Sequence, residues 1–170
     1  MRFALTDDQV MLRDAVAVML KKACPPSVVW AAWANDSGRS GLWSQLAELG
    51  LFGLTVPEVN GGLGMGAIEA VLVLEQCGRV CLPEPVVESF VAAPLLAAAE
   101  QRAVADGSLL VSTGLYADQA DVLLRWRESS LERLDGCTFT PLTSVDRSRR
   151  IFAIEARKSA ALDDSAGGSM

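Results

Sequence analysis

The chain has 170 residues, with 15 Lys plus Arg against 21 Asp plus Glu, for a formal charge of −6. A hydrophobic fraction of 51% argues against a disordered chain, and the acidic balance argues against broad nucleic-acid binding or a polybasic lipid contact. Histidine is absent, which excludes a Ser-His-Asp or Cys-His arrangement and any His-containing zinc site within the chain.

The opening MRFALTDDQ has no apolar core after Arg2. Thr6 followed by Gln9 reads as a capping box, with Asp7 and Asp8 in the positive first turn. Leu12, Val16, Met19, Leu20 and Ala23 then make one apolar helical stripe. Pro25-Pro26 ends it, because proline lacks the donor and restricts its predecessor. Ser27 is expected to cap a short helix with Val28, Val29 and Trp33, and Ser40 to open another with Leu42, Trp43 and Leu46. Residues 35–38 read as a loop, and Gly50 as a left-handed C-terminal cap.

Residues 51–64 form a loop rich in glycine. A glycine-rich loop before a helix can cradle phosphate. Here no Lys-Ser/Thr follows and no G-x-G-x-x-G pattern is present, so a tight structural crossing is the simpler reading. A helix is expected at 67–78, with Glu69 and Glu75 on its solvated face, and another at 86–102, divided at Pro94. The longest apolar run, 90–99, contains that proline and is too short to span a bilayer. A cytoplasmic protein without membrane insertion is expected.

After Asp106-Gly107 the period changes to that of strands: 109–113, then Val122, Leu124 and Trp126 alternating with Leu123, Arg125 and Arg127. Asp135-Gly136 between 129–134 and 137–142 signals a hairpin. Phe152 and Ile154 mark a last strand, and 158–170 reads as a disordered tail. The expected class is α+β: an N-terminal all-α domain at 1–104, a small, incomplete antiparallel β domain at 105–157, and the tail.

Cys24, Cys77, Cys81 and Cys137 include no Cys-x-x-Cys pair. Cys77 and Cys81, one helical turn apart, could hold a weak metal site or a disulfide; small buried thiols are the simpler reading, and no metal site is assigned. The tryptophans Trp30, Trp33, Trp43 and Trp126 could form a ligand platform, though core packing explains large aromatics more simply.

Four stretches carry a resemblance. They are Phe3-Ala4-Leu5-Thr6-Asp7-Asp8-Gln9; Leu46-x-x-Leu49-Gly50-Leu51-x-Gly53-Leu54 with Pro57-Glu58-x-x-Gly61-Gly62-x-Gly64; Glu75-x-x-Gly78-Arg79; and Pro141-Leu142 with Asp146-x-x-Arg149-Arg150. In this order and spacing, over residues 3–156, the chain resembles the acyl-CoA dehydrogenase family. The resemblance implies FAD-dependent α,β-dehydrogenation of an acyl-CoA thioester, by an enzyme with a helical domain, a middle β domain and a C-terminal four-helix domain. A glutamate of that last domain removes the α-proton, and the flavin takes the β-hydride.

The sequence departs from the family pattern twice. Its β segment is followed by no four-helix domain, so the family's glutamate has no counterpart here; Glu58, Glu69 and Glu75 do not match it, and no catalytic residue is assigned. The family's Thr/Ser-Glu-Pro motif and Gly-Ser pair are also missing. Aligned on Gly107, Thr113 and Leu115 fall where backbone contacts to the flavin are expected, and Tyr116 replaces a small hydroxyl residue.

The chain alone is therefore expected to be inactive and to hold FAD poorly, since half of the enclosing walls are absent. Two functions remain open. One is an incomplete subunit acting in a homo- or hetero-oligomer with a full-length family member. The other is a truncated, non-catalytic relative that serves as an interaction module or has no function.

Overall fold

Helix α1 (Asp7–Ala23) starts where the Thr6 hydroxyl accepts the Gln9 N–H at 3.2 Å while the Gln9 side chain accepts the Thr6 N–H at 3.0 Å. The computed structural model describes residues 4–34, 41–128 and 130–162. Five further helices follow: α2 (Pro26–Ala34), α3 (Leu42–Glu48), α4 (Ala67–Arg79), α5 (Val86–Ala92) and α6 (Ala98–Ala105).

The second helix begins two residues earlier than a Ser27 cap implies, at Pro26 and not at Val28. Pro26 occupies its first turn, where a missing N–H costs nothing and the fixed φ already suits a helix, so Ser27 lies inside it and does not cap it. The expected Ser40 cap lies outside the described residues. Helix α3 instead follows Gly41 and ends before Gly50, whose φ of +72° supplies the left-handed residue that stops it. Pro94 divides the 86–102 stretch into α5, a 3-10 turn at Ala93–Leu95, and α6.

The glycine-rich loop is a structural crossing. The N–H groups of Leu63, Gly64 and Met65 donate to the Gly53, Val56 and Leu54 carbonyls at 2.8, 2.8 and 2.9 Å. These amides close the loop on itself, so they are not free to cradle a phosphate. A Cβ built on Gly62 would lie 2.1 Å from the Val56 carbonyl oxygen, which explains why this position requires glycine.

Six strands follow: β1 (Val111–Ser112), β2 (Val122–Arg127), β3 (Ser130–Asp135), β4 (Thr138–Leu142), β5 (Ile151–Glu155) and β6 (Lys158–Ala161). They form a four-stranded sheet ordered β1-β2-β3-β6 and a separate β4-β5 ribbon. The α+β class and the order of helices before strands match the expectation, and three details differ. The β1–β2 pair is parallel, while the other pairs are antiparallel.

Asp135-Gly136 is not a hairpin. Gly136 turns with φ +62°, but β3 and β4 pair in different sheets. The hairpin is β2–β3, with Arg127 opposite Ser130 and Glu128 at φ +53°. The third difference concerns 158–161, expected to open a tail. These residues form β6, with Lys158 paired to Asp135 and Ala161 to Glu132. Alanine and serine side chains give little hydrophobic signal there, and backbone pairing to β3 supplies the order. Residues 163–170 lie outside the described residues.

One apolar core runs through both parts. Leu20, Leu46, Phe52, Val73, Val104 and Leu124 are all at most 1% exposed within it. Burying each such side chain is worth about 1.5–3 kcal/mol. On the other face of the sheet, Leu123 and Leu134 pack with Phe152 of the ribbon in a smaller core. That second core explains why β2 is buried on both faces at its start and does not simply alternate.

Candidate functional site

Thr113 and Leu115 flank Gly114 where β1 ends. Gly114 has φ +153°, a backbone angle that suits glycine. The buried Ser112 hydroxyl fixes the turn: it donates to the Leu115 carbonyl and accepts the Gly114 N–H at 2.9 Å. Leu115 forms an isolated antiparallel bridge with Ile151. The flanking bonds run from Tyr116 N–H to the Arg150 carbonyl (2.9 Å) and from Phe152 N–H to the Gly114 carbonyl (3.1 Å). This is the non-hydrogen-bonded type of pair, so the peptide groups of Leu115 face away from β5.

Tyr116 has a structural place. Its φ is +52° and its side chain is 5% exposed. The phenol lies 2.9 Å from both the Pro83 and Ser148 carbonyl oxygens, to either of which its one proton can be donated. Burial pushes the phenol up to about 12, and the nearby Glu84 charge adds to this.

Glu88 is a site residue that the sequence reading did not single out. It lies on α5, is 9% exposed, and its Oε1 accepts from the Thr113 hydroxyl at a long 3.4 Å. Its Oε2 is buried and meets no hydrogen-bond partner among the described residues. Burial pushes this carboxyl above the usual carboxylate range, against smaller opposing effects from its own backbone, Thr113 and Arg149. The available sequence signal was an acid followed by a serine inside the apolar run 86–93. Glu88 and Thr113 line a cleft of about 110 Å³ together with Val91, Leu124, Trp126 and Leu131. Val87, Val91 and Trp126 are 53%, 46% and 56% exposed around it, an apolar rim.

The other carboxylates are elsewhere. Glu75 pairs with Arg79 at 2.7 Å on the exposed side of α4. Glu69, expected on the solvated face, instead joins two helices: Oε1 accepts from the Gln9 side-chain amide at 2.7 Å, and Oε2 accepts the Gly66 N–H at 3.1 Å. Those bonds, the one from Gln9 first, hold its carboxyl below the usual range.

Cys77 is buried and Cys81 exposed, both as free thiols; burial pushes Cys77 up to about 12. No group of three or more Cys, Asp or Glu suited to a metal ion occurs among the described residues.

Core packing accounts for Trp43, which is 5% exposed and stacked on Phe52 at 3.9 Å. It does not account for Trp30 or Trp126, both more than half exposed. Trp30 sits edge-on to Trp33 at 5.5 Å, and both line a groove of about 510 Å³ with Pro26, Val80 and Cys81. The Trp33 indole donates to Asp146 Oδ1 at 3.2 Å. A third cleft, of about 370 Å³, carries Arg147, Arg149 and Arg150 beside Phe152. Arg150 is already paired with Asp118 at 2.7 Å, and Arg149 with Asp146 at 3.5 Å. No helix among the described residues is long and apolar enough to cross a membrane.

Residues 6–104 match the family model described as acyl-CoA dehydrogenase, N-terminal domain. The chain is 30% identical over 166 residues to acyl-CoA dehydrogenase IpdE2 of Mycobacterium tuberculosis, covering 89% of this chain and 52% of the relative. It is 26% identical over 175 residues to the protein of the same name in Mycolicibacterium smegmatis, covering 96% and 56%. The chain thus spans about half the length of these relatives. Among solved structures, the Tcur3481-Tcur3483 steroid ACAD variant matches with a TM-score of 0.73 and 21% identity, over 94% of this chain and 58% of that one. The ChsE4-ChsE5 complex from Mycobacterium tuberculosis matches with a TM-score of 0.69 and 16% identity, over 95% and 57%.

Proposed function

Since the chain belongs to the acyl-CoA dehydrogenase family, we propose that it forms one wall of an FAD-dependent site that dehydrogenates an acyl-CoA thioester, with a partner subunit completing that site. The observation that carries this reading is the strand end at 113–115. It presents Thr113 at the surface beside an uncovered apolar rim, and it directs the Leu115 N–H away from β5 while the Leu115 carbonyl is held by the Ser112 hydroxyl. Backbone groups so placed suit a flat, largely apolar ring that needs a few directed polar contacts. Thr113 and Leu115 are the residues we assign to hold the flavin.

When bound, FAD supplies the two-electron acceptor for the β-hydride. This chain orients the ring and excludes water from one side. The α-proton is taken by a carboxylate of the partner: the one described carboxylate beside Thr113 is Glu88, buried on α5, hydrogen-bonded to Thr113 and raised above the usual carboxylate range by desolvation. The steroid ACAD and the ChsE4-ChsE5 complex, both named as pairs of polypeptides, support a two-subunit arrangement.

A second reading is an interaction module without catalysis. The exposed Val87, Val91 and Trp126 would serve it equally well, since such patches favour association.

One experiment separates the two. The chain is produced alone and together with a full-length acyl-CoA dehydrogenase polypeptide from the same source, and flavin absorbance and thioester oxidation are measured. The first reading expects little bound flavin on the chain alone and both flavin and turnover in the complex. A stable complex whose flavin content and turnover match those of the partner by itself would establish the module. Bound flavin on the isolated chain would overturn the view that the site is shared.

A further inference from the structure

We propose that Cys24 and Cys81 are a redox pair, which a peroxide converts to a disulfide that staples the end of α1 to the end of α4 across the groove of Trp30 and Trp33. The pair needs neither flavin nor a partner subunit, so it stands apart from the function proposed above.

Two helix ends meet at this place. Cys24 directly follows α1, and its Sγ lies 3.8 Å from the Val80 carbonyl oxygen. That carbonyl belongs to the planar peptide joining Val80 to Cys81, so the sulfur of one cysteine rests against the backbone of the other. Both cysteines line the groove of about 510 Å³, and Cys77 does not.

The backbone at Cys81 singles out the same residue. Helix α4 closes with two bonds: the Leu82 N–H donates to the Cys77 carbonyl at 3.0 Å, and the Cys81 N–H to the Gly78 carbonyl at 3.1 Å. Such an ending places one residue in the left-handed region, where glycine is the usual choice. Here Cys81 takes that place, with φ +51°. A side chain kept there against the steric preference points to a use for it. The same turn carries Cys81 off α4, so its one-turn helical spacing from Cys77 no longer applies.

The two thiols differ as an attacking and a resolving thiol should. Cys81 is exposed, whereas Cys24 is 2% exposed. Peroxide meets Cys81 first: the sulfur takes one oxygen as a sulfenic acid, the O–O bond breaks, and water leaves. Cys24 Sγ then attacks that sulfur. The S–S bond forms, the S–O bond breaks, and a second water leaves with the Cys24 proton. The two thiols have lost two electrons and two protons, and the peroxide has gained them.

The test uses the full chain, reduced and dilute. Hydrogen peroxide is added, the remaining thiols are alkylated, and tryptic peptides are weighed. Cleavage after Arg39 and Arg79 puts Cys24, Cys77 and Cys81 on three different peptides, so each pairing has its own mass. The expected product is a bridge between Cys24 and Cys81 within one chain, reversed by dithiothreitol. Because it closes a loop of roughly 60 residues, it should raise the urea midpoint by about 1 M. Cys77→Ala should keep the bridge and the rise. Cys24→Ala should lose both, as should Cys81→Gly, which suits the left-handed angle.

A bridge through Cys77, bridges only between chains, oxidation of Cys81 with no bridge, or a bridged chain with an unchanged midpoint would overturn the proposal. Should Cys24→Ala fail to fold, Cys81→Gly decides: a rise in midpoint on peroxide treatment that persists in that variant would place the effect elsewhere.

Discussion

The Tyr116 hydroxyl lies 2.9 Å from the carbonyl oxygen of Pro83, which is 33 residues away in sequence, and equally close to that of Ser148 on the other side. One phenol thereby ties the segment before α5, the turn after β1 and the loop before β5. Tyr116→Phe removes that donor and leaves two buried carbonyls without it. The expected loss is about 1–3 kcal/mol in a urea titration. The phenol's folded value of about 12 exceeds its ordinary 10.0. The unfolded chain therefore releases the proton first as pH rises, so stability falls between about 10 and about 12. Tyr116→Phe should fall less steeply over that window, keeping the part of the slope that belongs to the raised Cys77 thiol; an unchanged slope would remove Tyr116 from this titration.

Gly62 and Gly61 are neighbours that need glycine for opposite reasons. At Gly62 the space is missing: a Cβ would lie 2.1 Å from the Val56 carbonyl oxygen and 2.6 Å from that of Gly53. At Gly61 space is open but φ is +84°. Gly62→Ala should cost about 3 kcal/mol, since backbone must move. Gly61→Ala should cost about 1–2 kcal/mol, the left-handed penalty alone, and Gly61→Asn less than Gly61→Ala. Thermal melts of the three variants give the ranking, and a mild effect at Gly62 would contradict the crossing.

The start of α1 is held twice. Thr6→Ala should lose about 1 kcal/mol by removing the cap. Gln9→Ala should lose more than the cap alone, because Gln9 also donates to Glu69 of α4. A double-mutant cycle of Gln9→Ala with Glu69→Ala isolates that bond, and a coupling indistinguishable from zero would remove it from the account. Since the folded Glu69 carboxyl is held low, its contribution is present above the ordinary carboxylate range and fades as pH falls through the folded value.

Glu88 behaves in the reverse sense. Its folded carboxyl is raised, chiefly by burial. Below the ordinary carboxylate range both states are protonated and nothing is lost; as pH rises toward the folded value, the unfolded chain ionises first and stability declines. Thr113 and Arg149, which face the group from β1's end and the β4–β5 loop, oppose this without reversing it. Glu88→Gln should therefore be more stable than wild type at pH 7, with a smaller difference at pH 4. Chemical denaturation at both values checks it, and a destabilised Gln variant at pH 7 would refute it.

Local chemistry made much of the helical part legible. The Thr6–Gln9 box, Pro25-Pro26, Gly50 and Pro94 each act on neighbouring backbone, so their effects could be read in place. What escaped depends on distant partners. Asp135-Gly136 turns the chain as a hairpin signal should, yet the sheet chosen by the next strand is decided by Ile151–Glu155, further along. Strand β6 is ordered by β3 and not by its own alanines.

At the site, the position of Thr113 at a strand end was readable from the change of period after Gly107. The carboxyl beside it was not. Glu88 is 25 residues away from Thr113, and only the packing of α5 on β1 brings them together. Tyr116 looked like a lost hydroxyl and proved to be a fastening.

Trp43 bears on how the molecule can be watched. Its indole N–H donates to the Gly107 carbonyl at 2.8 Å while its ring lies on Phe52, so it fastens α3 to the joint where the chain leaves α6 for β1. Parting α3 from that joint would wet the indole and shift its emission to the red, whereas Trp30 and Trp126 are already more than half exposed. The blue edge of the fluorescence spectrum is thus a native gauge of whether the joint is shut, requiring no added dye.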